Sequence, residues 1–395
     1  MASKKLSWRF FFHRDHLIIA LGAFVLLGVL SFVTFNISFL NPVSKALKAF
    51  NVTDLFFDIQ HHGQAEESGA IAIVDISDVE ERGDIAVLLE RIALCNPACI
   101  GVDAIFEGRR SDAEGNARLM DVVDAYQDNL VFTCKLTDYD SKAGCFNSSV
   151  HSFFADSIPV REGYANLKNN LDNLPVRKLS VRNKLGEEVV LSFPAAVVAQ
   201  YSGNVIENHG EDWLINYRNV SFRVVEPDDI EEAADFLEGK IVLLGGVREE
   251  RDMHTSPIGK MPGVMIQAYS VDTLMGKKVR YLPSWMNWLL AFVLCWLFQI
   301  TVETVVFKTG NGRRIVPATY LKESRTMPGI TLFVCSAILS FLAFYIFTKR
   351  GFCIDIAIIL TMFALTLESR KLYRSSIIAL SKRYSGRFIQ NSIYT

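Results

Sequence analysis

What is missing from this 395-residue sequence excludes most enzyme classes. No G-x-x-x-x-G-K-[ST] run is present, so the glycine pair Gly245-Gly246 is not part of a phosphate-cradling loop. Histidine is scarce, at seven residues, and His254 has no second histidine at metal-ligand spacing. No nucleophile and base stand at a diagnostic separation. His13-Arg14-Asp15 matches the catalytic triplet of protein kinases, but no glycine-rich loop or D-F-G accompanies it, so the match is chance. There is also no basic domain. The net charge is −2, and basic residues gather in short segments beside apolar runs, which excludes nucleic acid as the main partner.

What is present is hydrophobicity: 50% of residues are apolar and the mean hydropathy is +0.22. That is too apolar for an ordinary soluble enzyme and too polar for a pure membrane bundle. Four apolar runs stand out, at 17–35, 285–307, 327–347 and the shorter 352–367. About 20 apolar residues span a bilayer core, so four transmembrane helices are expected, one before and three after a large central region. No small-x-small cleavage site follows Phe35, so the first run reads as an uncleaved anchor rather than a signal peptide.

Charge sets the orientation. Residues 1–16 carry Lys4, Lys5, Arg9 and Arg14. The loop between the second and third runs carries Lys308, Arg313, Arg314, Lys322 and Arg325, and residues 368–395 carry Arg370, Lys371, Arg374, Lys382, Arg383 and Arg387. The positive-inside rule places all three segments in the cytoplasm. Residues 36–283, in which acidic residues outnumber basic ones, are then extracytoplasmic. Gln299 and Glu303 share one face of a span; Glu303 is expected to reach the interface or pair with a basic loop residue. Asp355 is expected near the outer end of the last span, close to Lys349 and Arg350.

Residues 36–283 read as an α/β domain with a mainly parallel sheet flanked by helices. Strands are expected at 70–76, 98–106, 129–134, 164–168, 176–191, 213–217 and 240–246. Asp84 is expected to cap a helix ending before Pro97, and Ser111 with Glu114 to form a capping box for the next. Ser192 opens a helix that Gly203 ends, a further helix is expected at 229–237, and the last runs from Gly263 to Met275, closed by Gly276. The stretch 136–163 reads as loop.

Asp75, Asp103 and Asp252 then fall at or just past the C-terminal ends of strands, where open parallel sheets bind ligands. Together with Gly245, Gly246 and His254 they are the candidate ligand site. Asp75, Asp103 and Asp252 are also the candidate oxygen ligands of a divalent cation, the one cofactor the residues suggest. The alternative is that Asp75 and Asp103 cap turns and pair with nearby arginines or backbone amides. Gly245 and Gly246 permit close backbone approach or positive φ. Cys134 and Cys145 flank a loop and are candidates for a disulfide, whereas Cys95 and Cys99 read as small buried hydrophobes. Cys295, Cys335 and Cys353 read as packing residues within the spans.

Four segments resemble one family. VTDLFFDIQ (52–60), IAIVDIS (71–77), IGVDAIF (100–106) and above all GKIVLLGGVREERDMHTSPIGKMPGVMIQAYSVDTLM (239–275) are similar to the type-two CHASE sensor domain, the cyclase/histidine-kinase-associated sensory extracellular domain. That family places three transmembrane helices directly after the domain, as here. Two features depart from it. Gln267 and Tyr269 stand where relatives often carry His and other small or polar residues, and the usual Trp/Pro/Arg-rich segment is not recognisable around Glu80 to Asp84.

The resemblance implies a membrane-anchored sensor in a bacterial inner membrane with its domain in the periplasm. Its partners would be the lipid bilayer, a separate membrane or cytoplasmic signalling protein and, since the family often acts through dimers, a second copy. Gly22, Ala23 and Gly28 would allow close helix approach. Residues 368–395 are too few for a catalytic module, so the expectation is a sensor without its own output; the amphipathic stretch Ser375 to Tyr394 would lie on anionic lipid, dock on a partner or stay solvated. A structural subunit of an envelope complex is the second reading, and a membrane-bound hydrolase using the aspartates is the third.

Overall fold

A computed structural model describes residues 12–36, 51–109, 111–167, 174–204, 212–276, 279–310, 326–383 and 386–394. The chain divides into two units, Thr53–Arg280 and a membrane unit of Met1–Val52 with Tyr281–Thr395.

The first unit is built on a nine-stranded sheet. Its parallel half contains β1 (Glu66–Asp75), β2 (Cys99–Val102), β3 (Leu130–Asp140), β10 (Val220–Val225) and β11 (Ile241–Gly245), in the order β10-β1-β11-β2-β3. β5 (Arg161–Tyr164) also pairs in parallel with β3. β4 (Cys145–Val150) joins the far end of β3 antiparallel and leads on to β7 (Arg182–Leu185) and β8 (Glu188–Leu191). The central strands β2 and β11 are buried along their whole length, because helices cover both faces.

On one face, Ala72, Val74, Ile100, Val102, Val242 and Leu244 pack against α3 (Arg82–Leu94) and α4 (Ala113–Tyr126). On the other lie α5 (Phe193–Ser202) and α7 (Gly263–Met275). Gly101 is required there: a Cβ would stand 2.9 Å from Phe193 Cζ and 2.9 Å from Val197 Cγ2 of α5. Gly163 in β5 serves the same helix, since a Cβ would meet Phe193 Cα at 2.5 Å.

Several expected boundaries move. Glu81, not Asp84, is the N-cap of α3, and Asp84 sits in its first turn. Asp112 rather than Ser111 caps α4, accepting a hydrogen bond from Gly115 N at 2.9 Å, so the Ser111–Glu114 box does not form. Strand β2 ends at Val102, four residues short of the expected 106. The stretch 136–163 is not loop: it holds the end of β3, all of β4 and the start of β5. Those strands are polar and joined by side-chain bonds such as Thr137 Oγ1 to Ser148 Oγ at 2.7 Å, so they carry little apolar alternation. The run expected at 176–191 breaks into β6 (Lys178–Ser180), β7 and β8. β9 (Asp212–Leu214) precedes β10, and the expected helix at 229–237 shrinks to the single turn α6 (Ala234–Leu237). α5, with its Ser192 N-cap and left-handed Gly203, and α7, ended by Gly276, fall where expected.

The disulfide is contradicted. All seven cysteines are free. Cys145 pairs with Asp140 in the antiparallel register, six residues along β3 from Cys134. At ~3.4 Å per residue that is roughly 20 Å, far beyond the ~7 Å that a disulfide spans between Cα atoms.

Among the described residues, three stretches are long and apolar enough to cross a bilayer, in α1 (Arg14–Asn36), α8 (Ser284–Gly310) and α9 (Thr326–Arg350). The expected fourth, 352–367, does not reach that length. α10 runs Ile356–Ser381, opened by Asp355 as N-cap, and its apolar part is its first half only. Its second half carries Glu368, Arg370, Lys371 and Arg374. Ala20 and Ala23 of α1, Cys295 and Phe298 of α8, and Ile359, Met362 and Phe363 of α10 form one core.

Gly22 is used inside the chain: a Cβ would lie 2.3 Å from Ser369 Oγ, which donates to Ile19 O at 2.8 Å. The small residues Gly22 and Ala23 thus join α1 to this chain's own bundle. Gly28 meets nothing within 4 Å.

The last residues fold back. Asp15 accepts hydrogen bonds from Tyr373 Oη, Ser392 Oγ and Ile393 N at 2.7–2.8 Å, which gives the His-Arg-Asp triplet a structural role. Glu303, 3% exposed, pairs with Arg370 of α10 and accepts from Tyr394 Oη. Its partner is therefore on α10; the loop arginines and Lys322 lie outside the described residues, as do Lys4, Lys5 and Arg9.

Candidate functional site

The parallel register brings the predicted strand ends together. Asp75 pairs with Gly245, and Leu244 with Val102, so Gly245 ends the middle of three adjacent strands. Asp103, just past β2, is held there by its own amide, which donates to Leu244 O at 2.7 Å. A Cβ on Gly245 would stand 2.8 Å from Val264 Cβ and 3.4 Å from Asp103 Cβ. Neither Gly245 nor Gly246 has positive φ; Gly245 provides close approach, letting the start of α7 settle on the sheet.

The two strand-end aspartates then diverge. Asp75, 2% exposed, accepts from Ser77 N at 2.9 Å, from Ser77 Oγ, and from Val247 N at 3.0 Å, and its other oxygen meets Arg248 Nε at 3.0 Å. Burial pushes its carboxyl up, but those hydrogen bonds and the Arg248 charge together outweigh it and hold the group below the ordinary range. Asp75 ties the 245–248 turn to β1, as the turn-capping alternative foresaw.

Asp103 is partly buried, and its carboxyl finds no hydrogen-bond partner among the described residues. Burial first, then the nearby charge of Asp252, push it up to about 7, with His254 opposing. Asp252 is the half-exposed member. Its Oδ2 accepts from Gly263 N, the first residue of α7, at 2.9 Å, and its Oδ1 lies 3.1 Å from His254 Nε2. Gly263 is needed for this contact, since a Cβ would come within 2.4 Å of Asp252 Oδ2. His254 sits on β12 (Met253–Ser256), which pairs with β13 (Gly259–Pro262) in a hairpin that returns the chain to α7.

The candidate site is thereby narrowed to Asp103, Asp252 and His254 around Gly245, while Asp75 is bonded to the 245–248 turn. Among the described residues, no group of three or more His, Cys, Asp or Glu is placed to hold a metal ion. One carboxyl without a donor, beside a half-exposed carboxylate and an imidazole, suits a ligand that brings its own N–H or O–H donors.

Sequence reasoning missed Ser77, Arg248 and Gly263. The Asp-x-Ser spacing of Asp75 and Ser77 was a legible turn signal, and the Pro-Gly at 262–263 marked a helix start. The distant pairing of Arg248 with Asp75 left no local trace.

The CHASE2 domain model matches residues 24–302. The chain belongs to the CHASE2 domain family. The match begins within α1 and ends within α8, so this CHASE2 protein carries its sensor domain between membrane helices, and sensing rather than catalysis is the family's role. No curated protein matches the chain, and no solved structure matches it.

Proposed function

We propose that this CHASE2 protein is a membrane-anchored extracytoplasmic receptor that takes a small cationic or hydroxylated ligand at Asp103, Asp252 and His254 and relays the signal to a separate protein. The observation that carries the reading is the Asp103 carboxyl, which has no hydrogen-bond donor among the described residues and stands just past the end of a central strand. A ligand supplying that donor would also engage Asp252, which holds the first amide of α7. α7 is the last helix before α8 in the chain, so a ligand preferring one position of α7 would bias α8. Residues 1–16, 311–325 and 382–395 are cytoplasmic in this reading. α10 makes the fourth crossing, with Arg370 neutralised by Glu303, and the membrane is a bacterial inner membrane.

The test is the thermal midpoint of the full-length protein in lipid nanodiscs, titrated with small amines, polyols and divalent cations. A saturable rise that disappears in Asp103→Asn supports the site. A rise that survives in Asp103→Asn places the ligand elsewhere, and no rise with any of the three classes counts against a small-ligand receptor. A topology reporter at Asn147 checks the orientation, and a cytoplasmic signal there would overturn it.

A further inference from the structure

Beside β3, a serine, a histidine and a glutamate are joined in one chain of hydrogen bonds. Ser149 Oγ, in β4, lies 2.6 Å from His151 Nε2, and His151 Nδ1 lies 2.5 Å from Glu162 Oε2 in β5. β4 and β5 both pair with β3, which is what brings Glu162 back to the two residues that precede it. Glu162 is mostly buried and also takes the Ser152 amide, so its carboxylate is fixed in place. A carboxylate accepts only, so Nδ1 carries the imidazole proton and Nε2 is left to accept from the Ser149 hydroxyl. The neighbouring Ser148 is tied to Thr137 and Asp138 instead.

The Ser149 amide is also placed for chemistry. Leu136, opposite Ser149 in the register, gives its N–H and C=O to the Asn166 side chain, both at 2.8 Å. The Leu136–Ser149 pair is therefore a non-hydrogen-bonded one, and the Ser149 N–H turns to the outer edge of β4. β4 meets β7 at Phe146 opposite Leu185, short of Ser149. That N–H is thus left to a molecule approaching the hydroxyl. Ser149 is half-buried and His151 exposed, so such a molecule needs no opening of the fold.

We infer that Ser149 is a covalent acyl-acceptor site for small activated esters, with His151 as its general base and Glu162 as the positioning residue that holds the imidazole. Ser149 Oγ bonds to the acyl carbon as its proton passes to His151 Nε2. The carbonyl oxygen, negative in the tetrahedral intermediate, meets the Ser149 N–H. The bond from the acyl carbon to the leaving alcohol then breaks, and the alcohol takes the proton from Nε2. The products are acyl-Ser149 and the free alcohol, and no co-reactant is needed. Such an adduct is a covalent input to the domain, separate from the reversible ligand at Asp103.

The experiment treats the full-length protein in nanodiscs with p-nitrophenyl acetate and follows acetylation of each peptide by mass spectrometry. The expected result is acetyl-Ser149 forming at least ~10-fold faster than acetylation of the exposed Ser157, which serves as the reference within the same molecule. The rate at Ser149 should fall at least ~100-fold in His151→Gln, since a positioned general base contributes roughly 10²–10⁴-fold. Glu162→Gln keeps the side-chain size and should slow the reaction at least ~10-fold. It should also move the His151 imidazole to its Nε2–H tautomer in nitrogen NMR spectra, which a merely structural role would not do. Ser149 reacting no faster than Ser157 in the parent would overturn the assignment without any variant, and so would equal rates at Ser149 in the parent and His151→Gln.

Discussion

Asp75 and Asp103 are the same residue type, one strand apart on either side of β11, and their environments drive them in opposite directions. Asp75 is more deeply buried yet held below its ordinary range, because Ser77, Val247 and Arg248 saturate both oxygens. Asp103 is pushed up to about 7 because burial is not compensated by any donor among the described residues. Position at a strand end is therefore not what makes a site. What separates scaffold from site is whether the carboxylate has already spent its hydrogen-bonding capacity.

The largest expected effect falls on the scaffold side. Asp75→Ala strands Val247 N, Ser77 N and Arg248 together, and should cost about 3 kcal/mol, since hydrogen bonds to a charged group are each worth about 1.5–3 kcal/mol and Arg248 is half-exposed. Chemical denaturation of the full-length protein measures it; a loss under 1 kcal/mol would erase the contrast. Asp75's contribution should be present above the ordinary carboxylate range and fade as pH falls through its lowered folded value.

Asp103→Asn should do the reverse. A carboxyl raised to about 7 in the fold binds its proton more tightly there than when unfolded, so the parent loses stability as pH rises from about 4 to 7. Asn removes that penalty. The variant should be more stable than the parent by about 4 kcal/mol at pH 8, at about 1.4 kcal/mol per unit of the rise, and no more stable at pH 4. An equal effect at both values would show that Asp103 does not titrate there.

Much of the fold was legible. The buried runs IAIVD and IVLLG could only be central parallel strands, and the serine, proline and glycine signals around α5 and α7 marked their ends to within a residue. The polar strands β4, β7 and β8 were not, because side-chain bonding rather than apolar alternation holds them. In the site, the sequence named every carboxylate but could not separate Asp75 from Asp103. The separation depends on Arg248 and on the β1–β11–β2 order, both set by long-range pairing. The membrane unit shows the same limit, since nothing local announces that Gly22 fits Ser369 or that Tyr394 returns to Glu303.

Smaller effects sharpen the contrast. Gly263→Ala places a methyl 2.4 Å from Asp252 Oδ2 and should displace that carboxylate from α7. The cost should be about 1 kcal/mol, because the Asp252 side chain is half-exposed and can swing away; a neutral result would mean that Asp252 does not cap the helix. Reduction with dithiothreitol should leave the thermal midpoint unchanged, since Cys134 and Cys145 are free. A drop on reduction would restore the bridge.

The most direct measurement is pH-difference infrared spectroscopy of the full-length protein between pH 5 and 9, with Asp103→Asn as the reference. A protonated-carboxyl band that disappears with a midpoint near 7 in the parent, and is missing from Asp103→Asn, is the predicted result. No carboxyl titrating above pH 5, or a band that persists in Asp103→Asn, would contradict the claim that Asp103 is the unspent carboxylate of the site.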